Sequence, residues 1–265
     1  MSVATFQRVD GLMELVRVNL PRRVKSDGSF TDWNVVGPAL VAIGADLCEA
    51  IVSSVPPRGR VRAEIMARSL AEYAIGFAWL AAPEDEEERA NRLKRFEKDE
   101  FLERERSENK LRDHITAKPA YSHLVAEDRA GGPLPRGLLD DPTRERLAGL
   151  KGDTSVKAPP DALTMAFEAD KRWMPGIELV QRNPFALIYF TLFVGPSFLT
   201  HPSVSAVGRV VVGTPPDLVV GMPEPLGVSE SPYSISLLAF VNMLLVSSRA
   251  LGWPQEGEIY AVLAR

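Results

Sequence analysis

The sequence predicts an all-α fold, a single helical-bundle domain over residues 1–265 with a central helix near 60–82 and one small β-hairpin near 209–220. Three observations carry that prediction. Apolar residues recur at helical spacing in segments that prolines separate. Charge is crowded into one run of the chain. One segment, Val61 to Leu80, has no plainly polar face and belongs at the centre of a bundle. The chain of 265 residues, 45% apolar and 25% charged, is long enough to bury a large core.

Taken in order, amphipathic periods predict helices at about 3–20, 33–55 and 60–82, with Pro21, Pro56-Pro57 and Pro83 between them. Pro83 and the acidic residues after it suit the first turn of a fourth helix, where the N-terminal dipole favours carboxylates. From Glu84 to His114, 21 of 31 residues are Asp, Glu, Lys or Arg, so this helix reads as solvated. Thr116 to Pro160 carries Pro119, Gly131-Gly132-Pro133, Pro135, Pro142 and Pro159-Pro160. Those breakers predict a long surface excursion with one short helix near 140–150. Helices resume at about 160–180, 184–199, 230–251 and 256–264. Two β-branched runs around Gly213-Thr214-Pro215-Pro216-Asp217 give the hairpin.

The single cysteine, Cys48, excludes an intrachain disulfide and a multi-thiolate metal site, and it points to a reducing cytoplasm. The first ten residues lack the features of a secretory signal. The most apolar windows, Phe185–Leu199 and Ile235–Val246, are shorter than the ~20 residues a bilayer requires, so they read as buried helices and no membrane association is expected. A formal charge of -4 supplies no global field for nucleic acid. The charged helix itself nets negative, nine bases against twelve acids, so phosphate meets repulsion along it. A homo-oligomer stays open.

Candidate chemistry gathers on two segments. In the central helix Val61, Ile65, Arg68, Glu72, Ile75 and Trp79 form one stripe, which flanks an Arg68–Glu72 pair with apolar residues on both sides. Charges enclosed there must pair or meet other polar groups. One reading is a structural ion pair that fixes helix register. The other is a polar cavity between helices, a common place for bundle ligand sites. Near 184–199, Tyr189, Phe193, Ser197 and His201 are spaced four apart, and Gly195-Pro196 must distort the helix that carries them. The expected site takes His201, Arg68 and Glu72 as catalytic residues, with Tyr73, Tyr189 and Ser197 as ligand contacts. His201 would exchange a proton, Arg68 would hold an anionic group, and Glu72 would orient Arg68.

The segment Arg68-Ser69-Leu70-Ala71-Glu72-Tyr73, with Phe77-Ala78-Trp79-Leu80 and the later Ser197 and His201-Pro202-Ser203, resembles an uncharacterised bacterial all-helical family. That family pairs an R-S-L-x-E helix with a later helix ending in serine and histidine. The resemblance covers about residues 60–205 and implies that Arg68, Glu72 and His201 converge, without naming a reaction. Some such proteins are similar to the HEPN superfamily, whose nucleases cleave RNA without metal through an R-x4–6-H motif. This sequence departs from that motif: before His114, Arg112 is too close and Arg106 too far. A ribonuclease toxin or defence component is therefore the alternative, and a structural or interaction protein without chemistry is the third.

No cofactor or metal is expected. The three histidines, His114, His123 and His201, are scattered, and no E-x-x-H accompanies Glu100, Glu103, Glu105 and Glu108. Phosphate-loop, dinucleotide and hydrolase-elbow motifs do not occur. Cys48 reads as a small packed hydrophobe.

Overall fold

A computed structural model of the chain describes residues 3–20, 32–54, 60–117, 141–174, 184–194, 211–214, 217–220 and 231–264. The described residues are mainly helical: α1 (Val3–Asn19), α2 (Trp33–Ser53), α3 (Arg60–Ala81), α4 (Glu86–Thr116), α5 (Asp141–Gly152), α6 (Ala162–Trp173), α7 (Pro184–Ile188), α8 (Ser231–Leu251) and α9 (Glu256–Leu263). The fold class is all-α, as the periodicity implies. Strands Val211–Thr214 and Asp217–Val220 pair antiparallel, with Val211 opposite Val220 and Thr214 opposite Asp217. By its internal contacts the chain divides into two compact units, one holding α1, most of α2, α3 and α6–α9, the other holding α4 and α5.

In the first unit α3 is the central helix. Ala63, Ala67, Leu70, Ala71, Ala74, Phe77, Ala78 and Leu80 have no exposed surface. The alanines let other backbones come close, so α6, α8 and the segment after α7 all pack on this one helix. Close approach recurs elsewhere in the unit. A Cβ at Gly44 of α2 would lie 2.6 Å from the Met243 sulfur of α8, and one at Gly11 of α1 would lie 2.7 Å from a Val262 methyl of α9.

Local signals fix the helix ends. Asp161 accepts from the Thr164 amide at 2.9 Å and opens α6. Gly252, at φ 78°, closes α8 in the left-handed conformation that a side chain would resist. The Glu258 carboxylate then reaches back to the Gln255 amide at 2.9 Å, starting α9.

The second unit corrects the reading of α4 as simply solvated. Leu93, Glu97 and Phe101, four residues apart, are buried along one stripe. Phe101 is covered by α5, the short helix expected near 140–150 within the surface excursion: Leu147 packs on Phe101, with Leu102 and Leu150 beside them. Ion pairs ascend both helices in step. Arg146 meets Glu97 at 2.5 Å and Lys151 meets Glu105 at 2.5 Å, so α5 runs in the same direction as α4. The chain then doubles back, and Lys98 donates to the Val156 carbonyl at 2.7 Å while Arg95 donates to Ala158 at 2.9 Å. A helix this rich in charge still needs a cover for its buried apolar residues, and α5 supplies it at Phe101.

The length argument against membrane spans also needs correction. The helix around Ile235–Val246 extends over 21 residues, as does α2. Both are long and apolar enough to cross a bilayer by length and composition, and about half of each window is buried inside the protein itself.

Candidate functional site

Arg68 and Glu72 lie one turn apart on α3, where the i,i+4 spacing brings the guanidinium Nε to 3.4 Å from the carboxylate. The apolar stripe places them less deeply than its pattern implies. The Arg68 side chain is 22% exposed and that of Glu72 is 48% exposed. Ile65, one turn before, is also exposed, whereas Ile75 and Trp79, farther along, are buried. The stripe emerges from the core toward its N-terminal end, and the pair sits where it emerges. Enclosure of both charges at the middle of the bundle is thus not what the structure has.

Even so, the partial burial matters. Loss of water around Glu72 pushes its carboxyl above the usual range, and the neighbouring Arg68 charge and hydrogen bond pull it back only in part. Desolvation wins over the ion pair. Tyr73, the next residue, is half-buried.

The second arm begins at Pro184. After Ile188 the α-helix widens into a π-helical stretch, Tyr189–Val194, immediately before Gly195-Pro196. In the sequence Gly195-Pro196 follows directly, and widened turns of this kind recur at functional positions in helices. Thr191 follows the distortion by donating its hydroxyl to the Leu187 carbonyl at 2.5 Å. Tyr189 is half-buried and meets Phe190 edge-to-face, with ring centroids 5.3 Å apart. The π stretch packs on α3. The fold therefore brings together Arg68 and Glu72, and it sets the Tyr189-bearing element against their helix. Ser197 and His201 lie outside the described residues.

A polar set near the C-terminal end of α3 was not singled out from the sequence. Trp79 donates its indole N–H to Glu168 at 2.8 Å, and Trp173 donates to the Ala78 carbonyl at 3.0 Å. Asp170, buried on α6, accepts from the Phe185 amide at 3.0 Å through one oxygen and from the Ala186 amide at 2.8 Å through the other. Burial pushes its carboxyl up, and the two amides oppose that shift. A helical signal for Asp170 existed. Ala166, Asp170 and Trp173 share 4-3 spacing, which places a carboxylate in a buried stripe.

Cys48 is fully buried and its thiol is pushed up to about 12, mainly by burial, in keeping with a packed and unreactive side chain. Among the described residues no group of three His, Cys, Asp or Glu side chains could hold a metal ion. No protein-family model matches this chain, and searches of curated proteins and of solved structures find no match.

Proposed function

We propose that the edge of α3 at Arg68 and Glu72, together with the Tyr189 arm and the residues that follow it, binds a small anionic molecule in the cytoplasm. In this reading Arg68 grips the anionic group through its planar fork of donors, and Glu72 orients Arg68. Tyr73, Tyr189 and Ser197 line the site. His201 is the group able to exchange a proton with the bound molecule if it is transformed.

The observation that carries the proposal is the unequal exposure of the pair: a mostly covered guanidinium beside a carboxylate whose ionisation burial opposes. A carboxylate or phosphate group arriving at Arg68 brings negative charge next to Glu72, which favours protonation of Glu72. Anion binding and proton uptake are then linked, so affinity rises as pH falls toward the Glu72 titration. A π-helical stretch on the facing arm supports the same reading, because such widened turns recur at functional sites.

The test is a thermal-shift and calorimetric titration with oxalate, inorganic phosphate and nucleoside monophosphates. A ligand that binds only the native state raises the melting temperature. Wild-type protein should be stabilised by at least one of these anions, and the Arg68→Met/Glu72→Leu double variant should fold but lose that response. An equal response in both proteins, or none in either, rejects the site.

A further inference from the structure

We infer that Asp170 is a positioning residue, which fixes the rotation of the helix beginning at Pro184 and with it the placement of Tyr189. Pro184 has no amide hydrogen, so Phe185 and Ala186 present the first free donors of that helix. Both are taken by a single carboxylate, one by each oxygen, at 3.0 and 2.8 Å. A cap supplied by the adjoining chain would satisfy these amides without locating the helix. A carboxylate from α6 satisfies and locates it, and two points of attachment stop the pivoting that one would allow.

Tyr189 lies four residues beyond Phe185 and three beyond Ala186, one turn from the anchored amides. The register changes from α to π at that same residue. The direction of the π stretch therefore depends on where the α turns are held. The anchor itself is firm, because α6 is tied to α3 two residues before Asp170, through Glu168 and Trp79, and three residues after, through Trp173 and the Ala78 carbonyl. The helix bearing Arg68 and the helix bearing Tyr189 are thus both gripped by α6.

The decisive experiment places a fluorine label on Tyr189 and follows its resonance, together with amide exchange at Phe185 and Ala186, in Asp170→Ala and Asp170→Asn proteins. The alanine variant should lose protection at both amides and shift or broaden the Tyr189 signal, while the Met243 methyl packed near Gly44 keeps its wild-type resonance. The asparagine variant offers one acceptor oxygen, so protection should persist at one amide, with an intermediate change at Tyr189. If the alanine variant fails to fold, the asparagine variant alone decides. An unmoved Tyr189 signal in a folded variant, with only a lower melting temperature, overturns the inference and leaves a simple cap.

The consequence for ligands rests on the site proposed above: oxalate should bind Asp170→Asn roughly tenfold more weakly, the 1.4 kcal/mol of about one mispositioned contact. The two ideas fail separately. If Tyr189 moves but wild-type protein binds no oxalate, the site falls and the positioning role stands. If oxalate binds both proteins equally and Tyr189 stays in place, the positioning role falls.

Discussion

Two arginine–glutamate pairs in this protein look alike as chemistry and differ as physics. Arg68 and Glu72 share one helix, meet at 3.4 Å and leave the carboxylate 48% exposed. Arg146 and Glu97 join two helices, meet at 2.5 Å through Nε and leave the carboxylate side chain 2% exposed, with a hydrogen bond of 3.0 Å from Nη2 to the other carboxylate oxygen. The first carboxylate keeps much of its water and gains little from its partner. The second has surrendered its water and relies on one charge-assisted hydrogen bond and on the close approach of the guanidinium to its other oxygen. A pair adjustable enough to admit a ligand is found in the first, and a pair that fastens one helix to another in the second.

The largest effect should therefore follow from breaking the second pair. Arg146→Met leaves Glu97 buried between Leu93 and Phe101 without its cation, and it should cost about 3 kcal/mol, the lower end of the usual range because Arg146 itself reaches solvent. Chemical denaturation followed by far-ultraviolet circular dichroism measures it. Replacing both partners, as Glu97→Leu with Arg146→Met, should recover most of that loss, since an apolar pair of similar volume suits a stripe that already holds Leu93 and Phe101. If the double variant is as unstable as the single one, the ion pair fastens α5 by more than its charge.

The contrast also shows what the sequence could disclose. Helix bounds were legible because prolines and glycines interrupt the periods: α1, α2, α3, α8 and α9 begin and end within about two residues of expectation. Arg68 and Glu72 stood out because two charges interrupt an apolar stripe. Glu97 was hidden by the opposite circumstance, a charge-dense run in which one more glutamate draws no notice, and only the four-residue spacing of Leu93 and Phe101 around it marks the buried side. Asp170 eluded the reading for a different reason, since its donors are backbone amides of another helix and backbone amides have no sequence identity. Depth was the remaining gap. Periodicity assigns a residue to a side of a helix, but how far that side remains covered along its length depends on neighbouring helices.

Breaking the first pair should do far less. Arg68→Met removes a partner from a half-exposed carboxylate that water can still reach, and the expected loss is about 0.5 kcal/mol or smaller. Equal losses for Arg68→Met and Arg146→Met, measured side by side in denaturant, would erase the distinction drawn between the two pairs.

The smallest effect is the most specific, because its sign depends on which influence controls Glu72. A tight ion pair would hold the carboxyl below its usual range, and stability would then be lost as acid protonates it. Burial instead holds it above that range, so over the interval between the ordinary glutamate value and the raised one the native protein binds more protons than the unfolded chain. Native stability must then fall as pH rises through that interval, and it stays lower above it. Glu72→Gln cannot titrate. Its stability relative to wild type should grow as pH climbs from about 4 and level off once wild-type Glu72 is ionised, reaching only a few tenths of a kcal/mol, roughly, because solvent screens a half-exposed group. Melting temperatures of the two proteins across that range, at fixed ionic strength, give the difference directly. A gap that widens toward acid in the other direction, with wild type gaining on the variant as pH rises, would mean that Arg68 controls Glu72 after all and that the pair is a bridge, closed to an incoming anion.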